Sequence, residues 1–105
     1  MSAINLTNKQ FQELLQEQKT ILLDYWAPWC GYCRRIAPAY DRIAQQYGDR
    51  IVVAKVNIDE EPELAKKEQI EVIPTLVLYK EGKAVDFLVA PEAQATIAEF
   101  IERNL

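Results

Sequence analysis

Two short apolar runs, Ile21-Leu22-Leu23-Asp24-Tyr25-Trp26 and Ile51-Val52-Val53-Ala54-Lys55-Val56, set the strongest constraint on how this chain can fold. Neither alternates apolar with polar residues, as a strand with one wet face would, so each reads as a strand covered on both sides. Between them Ile36, Tyr40, Ile43, Ala44 and Tyr47 recur on one helical stripe. Strand, helix and strand in that order predict a parallel pair with the helix crossing one face of the sheet.

The rest of the chain extends this unit. Thr7 with Gln10 has the form of a capping box, and Phe11, Leu14 and Leu15 follow at helical spacing. Pro38 falls inside the long helix and is expected to kink it, and Gly48 to close it. Pro62 suits the first turn of a short helix reaching Glu68. Thr75 to Tyr79 and Ala84 to Val89 read as strands joined through Glu81-Gly82, a hairpin signal. Pro91 is expected to open a last helix that turns Ile97, Phe100 and Ile101 inward. The order is β-α-β-α-β, then helix, hairpin and helix, with no residues fixed for the first strand. It predicts an α/β fold in one domain over 1–105, with a mixed sheet of about five strands flanked by four helices.

Composition removes several classes of function. The net charge is −4, which argues against nucleic acid or an anionic membrane as partner. No apolar run approaches the roughly 20 residues of a membrane span. Met1 to Thr7 has neither a basic start nor an apolar core, so no secretory leader is expected and the chain reads as cytoplasmic. The charge is uneven: residues 1–55 carry a net of +2 and residues 56–105 a net of −6, the ordinary reading of which is a solvated acidic face. Histidine is absent, which excludes a Ser-His-Asp triad, a Cys-His pair and any His-ligated metal.

Only two cysteines occur, Cys30 and Cys33, three positions apart. Cys30 follows a strand and loop and opens the long helix. The unpaired N–H groups and positive end of that first turn favour a thiolate there. Cys33, one turn further in, is close enough to close a disulfide and is expected to be the more shielded. An exposed sulfur that attacks and a buried one that resolves is the division such a pair needs. Zinc is the competing occupant, but a structural site wants four ligands and this chain offers two.

Asp24 interrupts its apolar strand six residues before Cys30. At a strand end in water it would be inert. Buried, it would titrate near neutrality, with Lys55 at the matching place in the next strand to tune it. Ile73-Pro74-Thr75 opens the hairpin, and spacing alone leaves that proline trans or cis.

Trp26-Ala27-Pro28-Trp29-Cys30-Gly31-Tyr32-Cys33-Arg34 resembles the active-site segment of the thioredoxin family. Asp24, Pro38, Lys55 to Asp59, Ile73 to Leu76 and Gly82 extend the resemblance along nearly the whole chain. It implies the thioredoxin fold and a protein disulfide oxidoreductase. Cys30 would attack a substrate disulfide and Cys33 would displace the reduced substrate, with Asp24 and Lys55 handling the Cys33 proton. Trp29, Gly31, Tyr32, Ile73, Pro74 and Ala90 would border the substrate groove. Pro74 would be cis and Ile73 would pair with the substrate strand, while Trp26 and Pro38 would support the structure. The redox couple would be the Cys30–Cys33 pair itself, with no other cofactor and no metal. An NADPH-dependent flavoprotein reductase would recharge it, protein disulfides would be its substrates, and the chain would act as a monomer.

Two departures stand out. Tyr32 occupies a place where the family usually has proline, and restores an N–H in the first helical turn. That is expected to place the potential above the roughly −270 mV of thioredoxin by roughly 10–50 mV. Ala90 stands where glycine is usual, and its methyl is expected to narrow the range of partners. Tyr32 also keeps open a second reading, a disulfide oxidase, isomerase or glutaredoxin-like protein with a raised potential. A third is a binding module that uses the groove around Trp29 and Pro74 without redox turnover.

Overall fold

A computed structural model describes residues 2–105. Met1, where the stretch read for a leader begins, lies outside them. The elements are β1 (Ile4–Asn5), α1 (Asn8–Gln16), β2 (Ile21–Trp26), α2 (Gly31–Tyr47), β3 (Val52–Asn57), α3 (Pro62–Lys67), β4 (Thr75–Lys80), β5 (Lys83–Val89) and α4 (Gln94–Glu102). They form a five-stranded sheet in the order β1-β3-β2-β4-β5. β3 runs parallel to both β1 and β2, whereas β4 is antiparallel to β2 and β5. The expected mixed sheet and element order are therefore present, and the unassigned first strand is only the pair Ile4–Asn5.

Alternation along β2 distributes its side chains to two cores. Ile21, Leu23 and Tyr25 join Phe11 of α1 and Leu64 of α3 on one face. Leu22 joins Ile36, Tyr40, Ile43, Ala44 and Tyr47 of α2 and Ile97, Phe100 and Ile101 of α4 on the other. Both faces are dry, which is why the run carries no polar alternation. Each core is fixed by directed contacts as well. The Tyr40 hydroxyl donates across to the Ala54 carbonyl at 2.6 Å, and the Tyr25 and Tyr79 hydroxyls meet at 2.7 Å. Phe11 packs edge-on to Tyr79 with ring centroids 4.8 Å apart.

Local signals set the ends of the elements. Thr7 and Gln10 close a reciprocal capping box on α1. Pro62 takes the first position of α3. Pro38 lies inside α2, which nevertheless runs on to Tyr47 as one helix. Gly48 closes α2, but in the right-handed region at φ −62° rather than the left-handed one usual for glycine there. Two expectations shift. The second buried strand starts at Val52 rather than Ile51. Pro91 does not open α4, whose N-cap is Ala93. Pro91 is instead buried in the β5–α4 turn, directly after Ala90 at φ +46°.

The β4–β5 turn has positive φ at both central residues, Glu81 (53°) and Gly82 (80°), the geometry of a type I′ hairpin. Further along, the pairing slips by one residue between Leu78 and Tyr79. β5 is an edge strand, and Val85, Phe87 and Val89 are exposed on it.

Gly82 and Ala90 share left-handed geometry but differ in side chain, so substitutions there have opposite signs. A Cβ at Gly82 would meet nothing nearer than the Leu15 carbonyl oxygen at 3.7 Å. Gly82→Ala therefore incurs the conformational penalty, partly offset by a stiffer unfolded chain, for a net loss of about 0.5–1 kcal/mol. Ala90→Gly relieves that penalty but loosens the unfolded chain, for a net gain of about 0.5–1 kcal/mol. Urea denaturation midpoints check both directions.

Candidate active site

The end of β2, the loop after it and the first turn of α2 place the cysteines at the C-terminal end of the central strand. Cys30 is the N-cap of α2, and its Sγ accepts the Cys33 N–H at 3.1 Å. Cys30 and Cys33 are joined as a disulfide with their Cα atoms 5.3 Å apart. The helix thus aims a first-turn donor at the sulfur, which stabilises negative charge there when the disulfide is opened. That donor belongs to Cys33 and not to Tyr32, so the N–H that tyrosine restores is not the one that reaches the sulfur. Both sulfurs are well covered: Cys30 is 8% exposed and Cys33 4%. The expected order of shielding is present, but Cys30 is much less open than the sequence suggested. Ala27 packs with both cysteines, and Trp26, Tyr32, Ile58 and Ile73 close around them.

Ile73 and Pro74 face this pair. The Ile73–Pro74 peptide bond is cis, and the Ile73 carbonyl oxygen lies 3.9 Å from Cys30 Sγ. Pro74 is buried, and its carbonyl accepts the Ala90 N–H at 2.8 Å. Trp29 stands out at 66% exposure. Its indole N–H points to the Asp59 carboxylate, with oxygens at 3.0 and 3.2 Å. At Gly31 an added Cβ would meet only Arg34 Nη2, at 3.9 Å, which leaves that position open to solvent. Arg34 itself turns back and donates to the Pro28 carbonyl at 2.8 Å. Asp59 and Arg34 brace the active-site loop, roles without a sequence signal because both rest on contacts formed only in the fold. Pro38 stands apart, exposed on α2 beyond the cysteines.

Behind Cys33 lies a small cavity of about 60 Å³, bounded by Asp24, Trp26, Cys33, Ala37, Tyr40 and Lys55 among others. It is large enough to admit water. Asp24 is 3% exposed, and its Oδ1 is buried without a hydrogen-bond partner. Burial pushes its carboxyl up from 3.8 to about 7, against a smaller lowering by the Lys55 charge. The two residues are register partners on β2 and β3. They do not form an ion pair: the Lys55 ammonium instead sits 4.7 Å from the centre of the Trp26 ring. Lys55 tunes Asp24 through space, and Trp26 holds the lysine. The Trp26 indole nitrogen is itself buried without a partner.

The thioredoxin family model matches residues 2–103. The chain belongs to the thioredoxin family. It is 46% identical to thioredoxin 1 of Synechococcus elongatus over 94 residues, covering 90% of this chain and 88% of that protein. Identity to thioredoxin 1 of a Nostoc species is 44% over 105 residues, or 99% of this chain and 98% of that one. A thioredoxin from Pyropia yezoensis is 38% identical over 106 residues, which cover 100% of this chain and 99% of that one. Family membership and the Cys30–Cys33 disulfide make the chain a thiol–disulfide oxidoreductase with the thioredoxin fold. Among the described residues no group of three or more Cys, Asp or Glu side chains is placed to hold a metal ion, and no helix is long and apolar enough to cross a membrane.

Asp24 links the site to stability with a definite sign. Its folded value of about 7 lies above the ordinary 3.8, so the folded state binds the extra proton between them. Stability is fully present below about pH 4 and falls as pH rises to about 7, by about 4 kcal/mol for a shift of that size. Asp24→Asn removes this loss: at pH 8 the variant should be about 2–4 kcal/mol more stable than the parent. Below pH 4 the difference should close. Paired urea titrations at pH 3.5 and pH 8 measure it.

Proposed function

We propose that this protein reduces disulfides in other proteins, with Cys30 as nucleophile and Cys33 as resolving thiol. One observation carries the reading: Cys30 Sγ, at the N-cap of α2, accepts the Cys33 N–H and is bonded to Cys33. In the reduced protein the Cys30 thiolate attacks one sulfur of a substrate disulfide. A Cys30–substrate bond forms, the substrate S–S bond breaks and one substrate thiolate leaves. Cys33 gives its proton to the Asp24 carboxylate through water in the cavity between them, and its thiolate then attacks Cys30. The Cys30–Cys33 bond forms and the second substrate thiolate departs, so two electrons have passed to the substrate. An Asp24 value near neutrality suits it to accept that proton and release it again. Lys55 tunes it.

The groove around the sulfurs receives the substrate. Trp29, held by Asp59, walls one side; Gly31 leaves room for a backbone to approach; the Ile73 backbone pairs with the extended substrate beside cis-Pro74. Tyr32 and Ala90 form the opposite wall, with Trp26 and Pro38 as support. An NADPH-dependent flavoprotein reductase returns the disulfide to the dithiol, and no other cofactor takes part. The protein works as a monomer in the cytoplasm.

Exchange can run in either direction, and the potential of the couple decides which. Equilibrated against glutathione, it should lie near or modestly above roughly −270 mV, which makes the protein a reductant. A value of roughly −180 to −120 mV would make it a disulfide donor, the reading that Tyr32 keeps open. The division of labour has its own test. Cys33→Ser should accumulate a mixed disulfide with a substrate protein through Cys30, visible on non-reducing gels and released by dithiothreitol. Cys30→Ser should form none and lose turnover. A trap formed equally by either variant would refute the assignment, and retained biological activity without either cysteine would mark a binding module instead.

A further inference from the structure

Tyr32 is the second residue of α2, and its phenol leaves the helix for the turn between β5 and α4. The hydroxyl lies 3.2 Å from the Ala90 carbonyl oxygen and 3.3 Å from that of Pro91. Its single proton is shared between these two acceptors. The ring packs against the cysteine cluster, and the Arg35 guanidinium sits 5.4 Å from its centre. Tyr32 is half-buried and held from several directions.

The turn it reaches is the one that needs holding. Ala90 sits at φ +46°, a region that disfavours any residue with a Cβ. Its N–H donates to the carbonyl of cis-Pro74 at 2.8 Å. One residue therefore bridges the groove floor, through its N–H, and the first turn of the active-site helix, through its carbonyl. Released from Tyr32, the turn would keep only the Pro74 bond and could relax away from its left-handed geometry.

We propose that Tyr32 is a specificity-determining residue, whose hydroxyl fixes the Ala90 turn beside cis-Pro74 and so makes this wall too rigid to yield to bulky residues flanking a disulfide. The inference rests on the disulfide-exchange reading of the site. It assigns the selection to the hydroxyl rather than to the ring or to the peptide N–H.

The test compares two disulfide-bonded peptides of the same length, one with glycine and one with tryptophan flanking each cysteine. The wild-type protein should prefer the glycine-flanked peptide in kcat/KM. Tyr32→Phe keeps the ring and removes the hydroxyl, and should reduce that preference about two- to tenfold, the range expected for one hydrogen bond. Hydrogen exchange at the Ala90 amide should quicken by a similar factor in the same variant. An unchanged or increased preference would overturn the proposal. So would a reduced preference with unaltered exchange at Ala90, since the turn would then not be the cause. Cys30→Ser serves as the separate control: turnover of either peptide by that variant would overturn the exchange reading itself.

Discussion

A parallel crossover decides where chemistry can occur in this molecule. β2 and β3 run in the same direction, so the chain must leave β2 at one end of the sheet and return by α2 to the other. The first turn of α2 therefore lies beside the end of β2, with its N–H groups unpaired. Cys30 caps that turn, and the antiparallel entry of β4 brings Ile73 and Pro74 to the same end of the sheet. The parallel half of the sheet supplies the cysteine pair and the antiparallel half supplies the wall facing it. Neither half alone would form a groove.

The same sheet explains how a carboxyl comes to be buried behind the sulfurs. Asp24 shares the face of β2 that Leu22 presents to α2, and Tyr40 and Ala37 of that helix close over it. A strand dry on both faces gives its fourth residue no route to water except the small cavity at Cys33. The register with Lys55 brings a positive charge near without an ion pair, because the lysine is drawn to the Trp26 ring. A direct ion pair would hold Asp24 ionised at all ordinary pH. Its absence leaves desolvation in control, and the carboxyl titrates near neutrality. The near-neutral titration of Asp24 and its cost in stability at high pH have one physical origin.

Much of this was legible in the chain itself. The two dry runs and the stripe between them predicted the crossover, Glu81-Gly82 predicted the hairpin, and Thr7 with Gln10 the cap. These signals are local, or depend on which face a residue must bury. The brief β1 was not legible, since Ile4–Asn5 is too short to carry a period and owes its pairing to β3. Pro91 was misplaced because proline opens helices and also fills buried turns, and only the packing around Ala90 separates the two. The most instructive case is Tyr32 with Ala90. The sequence marked each as a departure from the family, 58 residues apart, and treated them separately. Three dimensions make them one contact, which no spacing rule could have joined.

The slipped register between Leu78 and Tyr79 bears on how these molecules behave toward one another. β5 exposes Val85, Phe87 and Val89 along the open side of the sheet, and an unbroken edge of that kind invites a second chain to add a strand. The extra residue opposite that step bends and twists the edge, while Lys83 and Asp86 place charges along it. A neighbouring copy meets a curved, charged border with no long straight row of amides to match. The register step and the charges thus work against strand addition along an edge that is otherwise apolar.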